Sequence, residues 1–301
     1  MLMSKIIGIL SGKGGVGKTT LAANLSTLLQ LEFGRNVAVV DGNITSPSLG
    51  LHFGFHEKFP VSLNDVLEGH LKIQKCIYVH PTIGVSIIPC NFAFYSDKHV
   101  EKMRKAVRDL RYDYIIIDSA PGLGKEAITT LETSDEIIII TVPQFVDVSN
   151  ALKTLQLARK MKKRVVGVVL NRVQHADHEI SIDEIEKLCG CRILAEIPED
   201  REVQKATYRG SPIVVDHPNS STAQKFREIA LAVAGKLPRA AKEGSLTQEL
   251  KEITREEAKK EKEARHKKEK EKPTLGDISF LDRLTRKKAP KPHRHAKKKK
   301  R

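Results

Sequence analysis

Short continuous apolar runs recur along the 301-residue chain, at 6–10, 37–40, 85–88, 114–117, 137–142, 165–170 and 193–197. They do not alternate with polar residues, and stretches of helical spacing lie between most of them. Strands that bury both faces read this way. The pattern therefore predicts an α/β fold, a mostly parallel doubly wound sheet covered by helices on both faces. Right-handed crossovers place the C-terminal ends of such strands, and the loops after them, along one edge. Function is expected on that edge. A helix after the first run carries Leu21, Leu25, Leu28 and Leu29 on one side, and another over 221–237 carries Phe226, Ile229, Ala230 and Val233 on one face. Gly235-Lys236-Leu237-Pro238 punctuates that last helix, so the domain is expected to span 1–238 and a tail 239–301.

The pattern changes in the tail. Residues 246–272 carry Glu and Lys at helical spacing, with an apolar side only at Leu246, Leu250 and Ile253. Such a charged helix rests on i,i+4 pairs of about 0.2–0.5 kcal/mol each and reads as a solvated spacer. Apolar residues return at 275–288, where Asp277 can cap a helix with Ile278, Phe280, Leu281 and Leu284 on one broad face. Arg283, Arg286, Lys287 and Lys288 flank that face, and 283–301 holds 11 basic residues and no acidic one.

Charge follows the same division. The formal net charge is +15, and from Arg239 onward 23 Lys and Arg stand against 11 Asp and Glu, against 29 and 26 in the rest. A near-neutral body with a basic end suggests an arm for an anionic surface, and both an anionic membrane and nonspecific nucleic acid fit it. Four cysteines, with no apolar leader and no run near the length of a membrane span, point to a reducing cytoplasm, with a peripheral place at the membrane if the tail anchors there. Cys189-Gly190-Cys191 invites a metal reading, but packing at a helix end and a strand start explains both cysteines. His175-Ala176-Asp177-His178 reads as a solvated loop.

The strongest chemical signal is Gly12-Lys13-Gly14-Gly15-Val16-Gly17-Lys18-Thr19-Thr20, set between the first apolar run and a helix start. Glycines let successive N–H groups curl around a phosphate, and the helix mouth aims its unpaired N–H groups at the same anion. Lys18 supplies a point charge for the β- and γ-phosphates, the Thr19 hydroxyl a ligand for Mg²⁺, and Thr20 a further donor. Two strand ends offer carboxylates. Asp41 opens Asp41-Gly42-Asn43, where it can hold a Mg²⁺ water or orient the attacking water, and Asp118 follows the run 114–117 and reads as the acid that holds the Mg²⁺ hydration shell opposite Thr19.

The loop's second lysine, Lys13, resembles the deviant phosphate loop of the MinD, ParA and Mrp ATPases, and the resemblance covers about the first 235 residues. It implies an ATPase that uses ATP and Mg²⁺ and forms a homodimer sandwiching ATP, with Lys13 reaching the partner's nucleotide. In that family the segment at Asp41 is switch I, usually Asp-x-Asp, and the second position is here Asn43. An asparagine can hydrogen-bond a water but cannot take its proton, so turnover is expected to be slow. Pro121 and Gly122 resemble switch II. The resemblance also implies that Asn171, with Arg172 beside it, meets the adenine edge and that Pro198, Glu199 and Asp200 close over the base. The tail segment is similar in kind to the membrane helix of MinD. Expected roles are positioning of cellular components, such as the division site, through a membrane or partner. Pro47-Ser48-Leu49 looks Mrp-like and keeps an iron–sulfur carrier as an alternative, although a late Cys-x-x-Cys pair is missing. A nucleotide-locked DNA-binding module is the other.

Overall fold

The computed structural model of the chain describes residues 4–92 and 102–235. The expected boundary at 238 and the tail features, Ile278, Phe280, Leu281 and Leu284 among them, lie outside the described residues. Eight strands form one sheet: β1 Lys5–Leu10, β2 Val37–Gly42, β3 Tyr78–Val79, β4 Ser86–Ile88, β5 Tyr114–Ser119, β6 Glu136–Thr141, β7 Arg164–Val173 and β8 Ile193–Pro198. Their order is β3-β4-β2-β5-β1-β6-β7-β8, and every pairing is parallel except that of β3 with β4. Each apolar run is thus a strand. The edge strand β3, two residues long, is too short to show a period.

Nine helices are described: α1 Lys18–Leu31, α2 Leu63–Glu68, α3 Lys102–Arg108, α4 Lys125–Thr133, α5 Phe145–Lys160, α6 Ile182–Cys189, α7 Arg201–Tyr208, α8 Ile213–Asp216 and α9 Ser221–Val233. Because neighbouring residues on a strand point to opposite faces, the continuous runs feed two layers at once. Ile7, Ile9, Val39 and Ile116 pack with Leu21, Leu25, Phe226 and Ile229 of α1 and α9. On the other face Ile6, Val40 and Ile117 pack with Leu63 and Met103, and Ile137, Ile139 and Val168 with Leu131, Leu155 and Ile185.

The first helix is buried beyond its leucine side. Sheet and α9 enclose it, and Ala22, Ala23, Asn24, Ser26 and Thr27 are buried as well. Its polar groups are satisfied locally: Asn24 Nδ2 donates to Thr20 O at 2.8 Å, its Oδ1 accepts from Val214 N at 3.1 Å, and Thr27 Oγ1 donates to Ala23 O at 2.7 Å. Helix α9 stops at Val233, four residues short of the expected end, and Gly235 just after it takes φ 70°, a left-handed conformation that ends helices. Pairing of β2 with β5 sets Asp41 directly opposite Asp118. That register builds the site.

Candidate functional site

The loop after β1 enters α1 through Gly17, at φ 101°, which caps the helix without a side-chain bond. A Cβ at Gly17 would lie 2.3 Å from Asn171 Nδ2, and one at Gly12 2.4 Å from the Asn150 carbonyl carbon. Both glycines are therefore required by close approach. The loop and the helix mouth border a cleft of about 710 Å³, whose lining includes Gly15, Lys18, Thr19, Asn43, Pro121 and Arg172.

Lys18 is almost fully buried, and its Nζ donates to Ser11 Oγ at 2.9 Å. Ser11 Oγ in turn donates to Lys13 O at 2.6 Å, so one hydroxyl ties the lysine to the loop. Burial lowers the Lys18 pKa, and the charge of Asp118 partly opposes this. Thr19 Oγ1 donates to Asp118 Oδ2 at 2.6 Å and lies 3.3 Å from Ser48 Oγ.

Asp41 and Asp118 are both buried. Burial pushes Asp118 up to about 6, against the Thr19 hydrogen bond and the Lys18 charge. Burial also raises Asp41 well above the carboxylate range, with help from the charge of Asp118. Asp41 organises its own loop, since Oδ1 accepts from Asn43 N at 3.1 Å and Oδ2 from Ser48 N at 3.1 Å and Leu49 N at 3.0 Å. Asp118 Oδ1 has no hydrogen-bond partner. A hydroxyl, an orphaned carboxylate oxygen and a second carboxylate one strand away form an all-oxygen donor set, which fits Mg²⁺ and its waters.

The other expected residues have definite contacts. Asn43 Nδ2 donates to Ser46 O at 2.6 Å, folding the amide into its own loop at the cleft wall. Gly122 N donates to Ser11 O at 3.0 Å, which couples the loop at Pro121 and Gly122 to the phosphate loop. Asn171 Nδ2 donates to Val16 O at 2.8 Å, so this amide props the phosphate loop from below. Arg172, with φ 57°, lines the cleft and approaches Glu199 at 3.7 Å. Pro198 ends β8 beside Val173. Asp200 caps α7 through Glu202 N at 2.8 Å and accepts the Thr222 hydroxyl at 2.6 Å, which binds α7 to α9.

Lys13 turns away from the cleft. Its Nζ stands 3.2 Å from Asp147 Oδ1 and 3.3 Å from Oδ2, but the hydrogen bond runs to Oδ2 alone and Oδ1 is left without one. Asp147 is 2% exposed and Lys13 55%. Sequence reasoning missed Asp147, Ser11, Glu126, whose carboxylate accepts from Thr45 N at 3.1 Å, and His52. His52 lines the cleft, with Nδ1 3.2 Å from Ser48 O and Nε2 3.4 Å from Thr20 Oγ1. Asp147, Glu126 and His52 meet partners far off in sequence or in a loop without a motif, so no local pattern marks them, whereas Ser11 directly precedes the glycine loop and meets Lys13 and Lys18 within it.

A loop turned by Gly15 and Gly17 at positive φ, a buried lysine and an oxygen donor set meet at the mouth of the first helix of a mostly parallel sheet, which is how P-loop nucleotide hydrolases are built. A family model described as ParA, NUBPL iron-transfer P-loop NTPase, matches residues 2–234. An uncharacterised ATP-binding protein of Methanocaldococcus jannaschii is 37% identical over 239 residues, 78% of this chain and 89% of that protein. The septum site-determining protein MinD of Bacillus subtilis is 30% identical, over 77% of this chain and 90% of its own. Among solved structures, MinD of Pyrococcus horikoshii complexed with Mg-ADP superposes with a TM-score of 0.72 at 33% identity, covering 79% of this chain and all of that one. A MinC:MinD cell division complex of Aquifex aeolicus gives 0.70 at 27%, over 79% of this chain and 99% of that one. The chain belongs to the ParA/MinD/Mrp family of P-loop ATPases, which bind and hydrolyse ATP. No helix among the described residues is long and apolar enough to cross a membrane.

Proposed function

We propose that the chain is a slow, MinD-like ATPase that pairs with a second copy around ATP and Mg²⁺, engages a surface or partner while paired, and separates after hydrolysis. The observation that carries this reading is the position of Lys13, half exposed on Asp147 and outside the lining of its own cleft. A lysine in that place serves a neighbouring site better than its own. Lys18 and the loop amides would hold the phosphates, Thr19 and Asp118 would hold Mg²⁺, and Asp41 keeps the switch I loop in place and would accept from a water on the ion. Mg²⁺, when bound, neutralises charge on the β- and γ-phosphates. Asn43 orients the attacking water after its amide leaves Ser46 O. Asn171, Arg172, Pro198, Glu199 and Asp200 frame the base.

The mass of the full chain by light scattering, with and without Mg-ATP, tests this. A dimer is expected with ATP for the parent and a monomer for Lys13→Ala. ATP-dependent pairing that survives in Lys13→Ala would remove the proposal. Sedimentation with anionic vesicles, and separately with DNA, with and without ATP, assigns the target of the basic tail to a membrane or to nucleic acid. Positioning of cellular components such as the division site is the role this reading favours. The family model's iron-transfer description favours a second reading as an iron–sulfur carrier. Among the described residues no group of three or more His, Cys, Asp and Glu side chains stands together to hold a metal ion. A featureless visible spectrum after anaerobic reconstitution would set that second reading aside.

A further inference from the structure

Cys189-Gly190-Cys191 has no part in the ATPase reading, and the fold brings its two thiols together. Cys189 is the last residue of α6, Gly190 caps the helix in the left-handed region at φ 54°, and β8 begins at Ile193. A glycine in that conformation bends the segment sharply. Only that one glycine separates the two cysteines, so the bend keeps their thiols near enough to act on each other's titration. The bend is clamped from both sides. Arg159 Nη2 donates to Cys189 O at 2.7 Å and to Gly190 O at 2.9 Å, while Glu186 accepts from Gly190 N through its carbonyl and from Ile193 N through Oε1, both at 2.7 Å.

All four cysteines are free, and only Cys191 is partly exposed. It has solvent access, a second thiol two residues away and the Arg159 guanidinium close by, which are the surroundings that make a thiol reactive. The neighbouring Cys189 thiol and Arg159 hold Cys191 below the usual thiol range, against burial and the charge of Glu186. The Cys191 thiol, with burial, holds Cys189 above that range. Cys76 and Cys90 are the contrast. Burial pushes Cys76 up to about 12 and Cys90 well above its ordinary value, so both thiols are inert.

We propose that Cys189 and Cys191 form a redox-active dithiol that closes to an intrachain disulfide on reaction with low-molecular-weight disulfides such as glutathione disulfide. The Cys191 thiolate attacks one sulfur of the external disulfide. That S–S bond breaks, a mixed disulfide forms on Cys191, and one thiolate leaves. Cys189 gives its proton to solvent and attacks Cys191 Sγ, which forms the 189–191 bond and expels the second thiolate. The pair loses two electrons and two protons, and the external disulfide gains both and departs as two thiols.

Full-length protein treated with glutathione disulfide, trapped by alkylation and mapped by peptide mass spectrometry tests this. The peptide holding both cysteines is expected to lose two hydrogens and escape alkylation, while Cys76 and Cys90 are alkylated after denaturation. Cys189→Ser is expected to stop at a glutathione adduct on Cys191, and Cys191→Ser to show neither adduct nor ring. A 189–191 peptide that stays reduced, a lasting glutathione adduct in the parent, or a bridge to Cys76 or Cys90 would overturn the proposal. The readout is cysteine chemistry, so it stands or falls separately from the ATPase reading.

Discussion

Asn43 and Asp41 are two residues apart and do different work. The carboxylate of Asp41 is spent on three N–H groups of its loop, which fixes that loop, while the amide of Asn43, at the cleft wall, is held by one carbonyl alone. Asn43→Asp restores a group that can accept a proton, and single-turnover ATP hydrolysis is expected to rise roughly tenfold, about 1.4 kcal/mol of barrier. A rate equal to the parent's would contradict this role for Asn43. His52 gives a pH dependence. Ser48 O can only accept, so Nδ1 carries the proton and Nε2 accepts from Thr20. Burial lowers its pKa below the ordinary value of 6.5. The unfolded chain then binds the proton more readily, and stability is lost as pH falls below about 6.5. Thermal melts across pH 5–8 (an approximate window) are expected to fall more steeply on the acid side for the parent than for His52→Gln.

At the scale of the element, the start of α5 and the cap of α7 matter most. Asp147 sits in the first turn of α5, buried, with Lys13 at its carboxylate. If Lys13 moves to a second copy, that carboxylate is left behind without its cation, which opposes pairing. Lys13 is half exposed, so solvent screening trims the opposition to on the order of 1 kcal/mol. Asp147→Asn is expected to tighten ATP-dependent pairing by roughly fivefold in sedimentation equilibrium, and weaker pairing would argue against a restraining role. Asp200 joins α7 to α9 through a cap and the buried Thr222 hydroxyl. Asp200→Ala is expected to cost about 2 kcal/mol in urea unfolding, one part for the cap and one for the orphaned hydroxyl.

On the scale of the whole molecule, the site collects three buried ionisable groups, Lys18 at the start of α1 and Asp41 and Asp118 near the ends of β2 and β5. The two carboxylates lie opposite each other in the sheet, and only Asp118 has the charge of Lys18 acting on it, so a dication and a triphosphate add the missing charges of both signs. Mg-ATP at about 100 times its Kd adds roughly 2.7 kcal/mol of stability, so the melting temperature is expected to climb by about 5 °C or more. ATP with a chelator is expected to give a smaller rise. An equal shift with and without Mg²⁺ would separate the carboxylates from metal binding.

The residues by themselves settled the layered sheet, because unbroken apolar runs can satisfy both faces only when helices cover both. They also settled the phosphate loop, since a glycine loop between strand and helix is a local device that needs no distant partner. The order of strands, and with it the facing pair Asp41 and Asp118, came from the register of strands 77 residues apart, which no local pattern encodes. The same holds for Lys13 on Asp147, for Asn171 beneath Val16 and for Asp200 holding Thr222, which join side chains across 134, 155 and 22 positions. Sequence spacing governs which backbone conformations are open to a short segment. Only the closing of the fold decides which polar groups, brought out of water together, must answer one another.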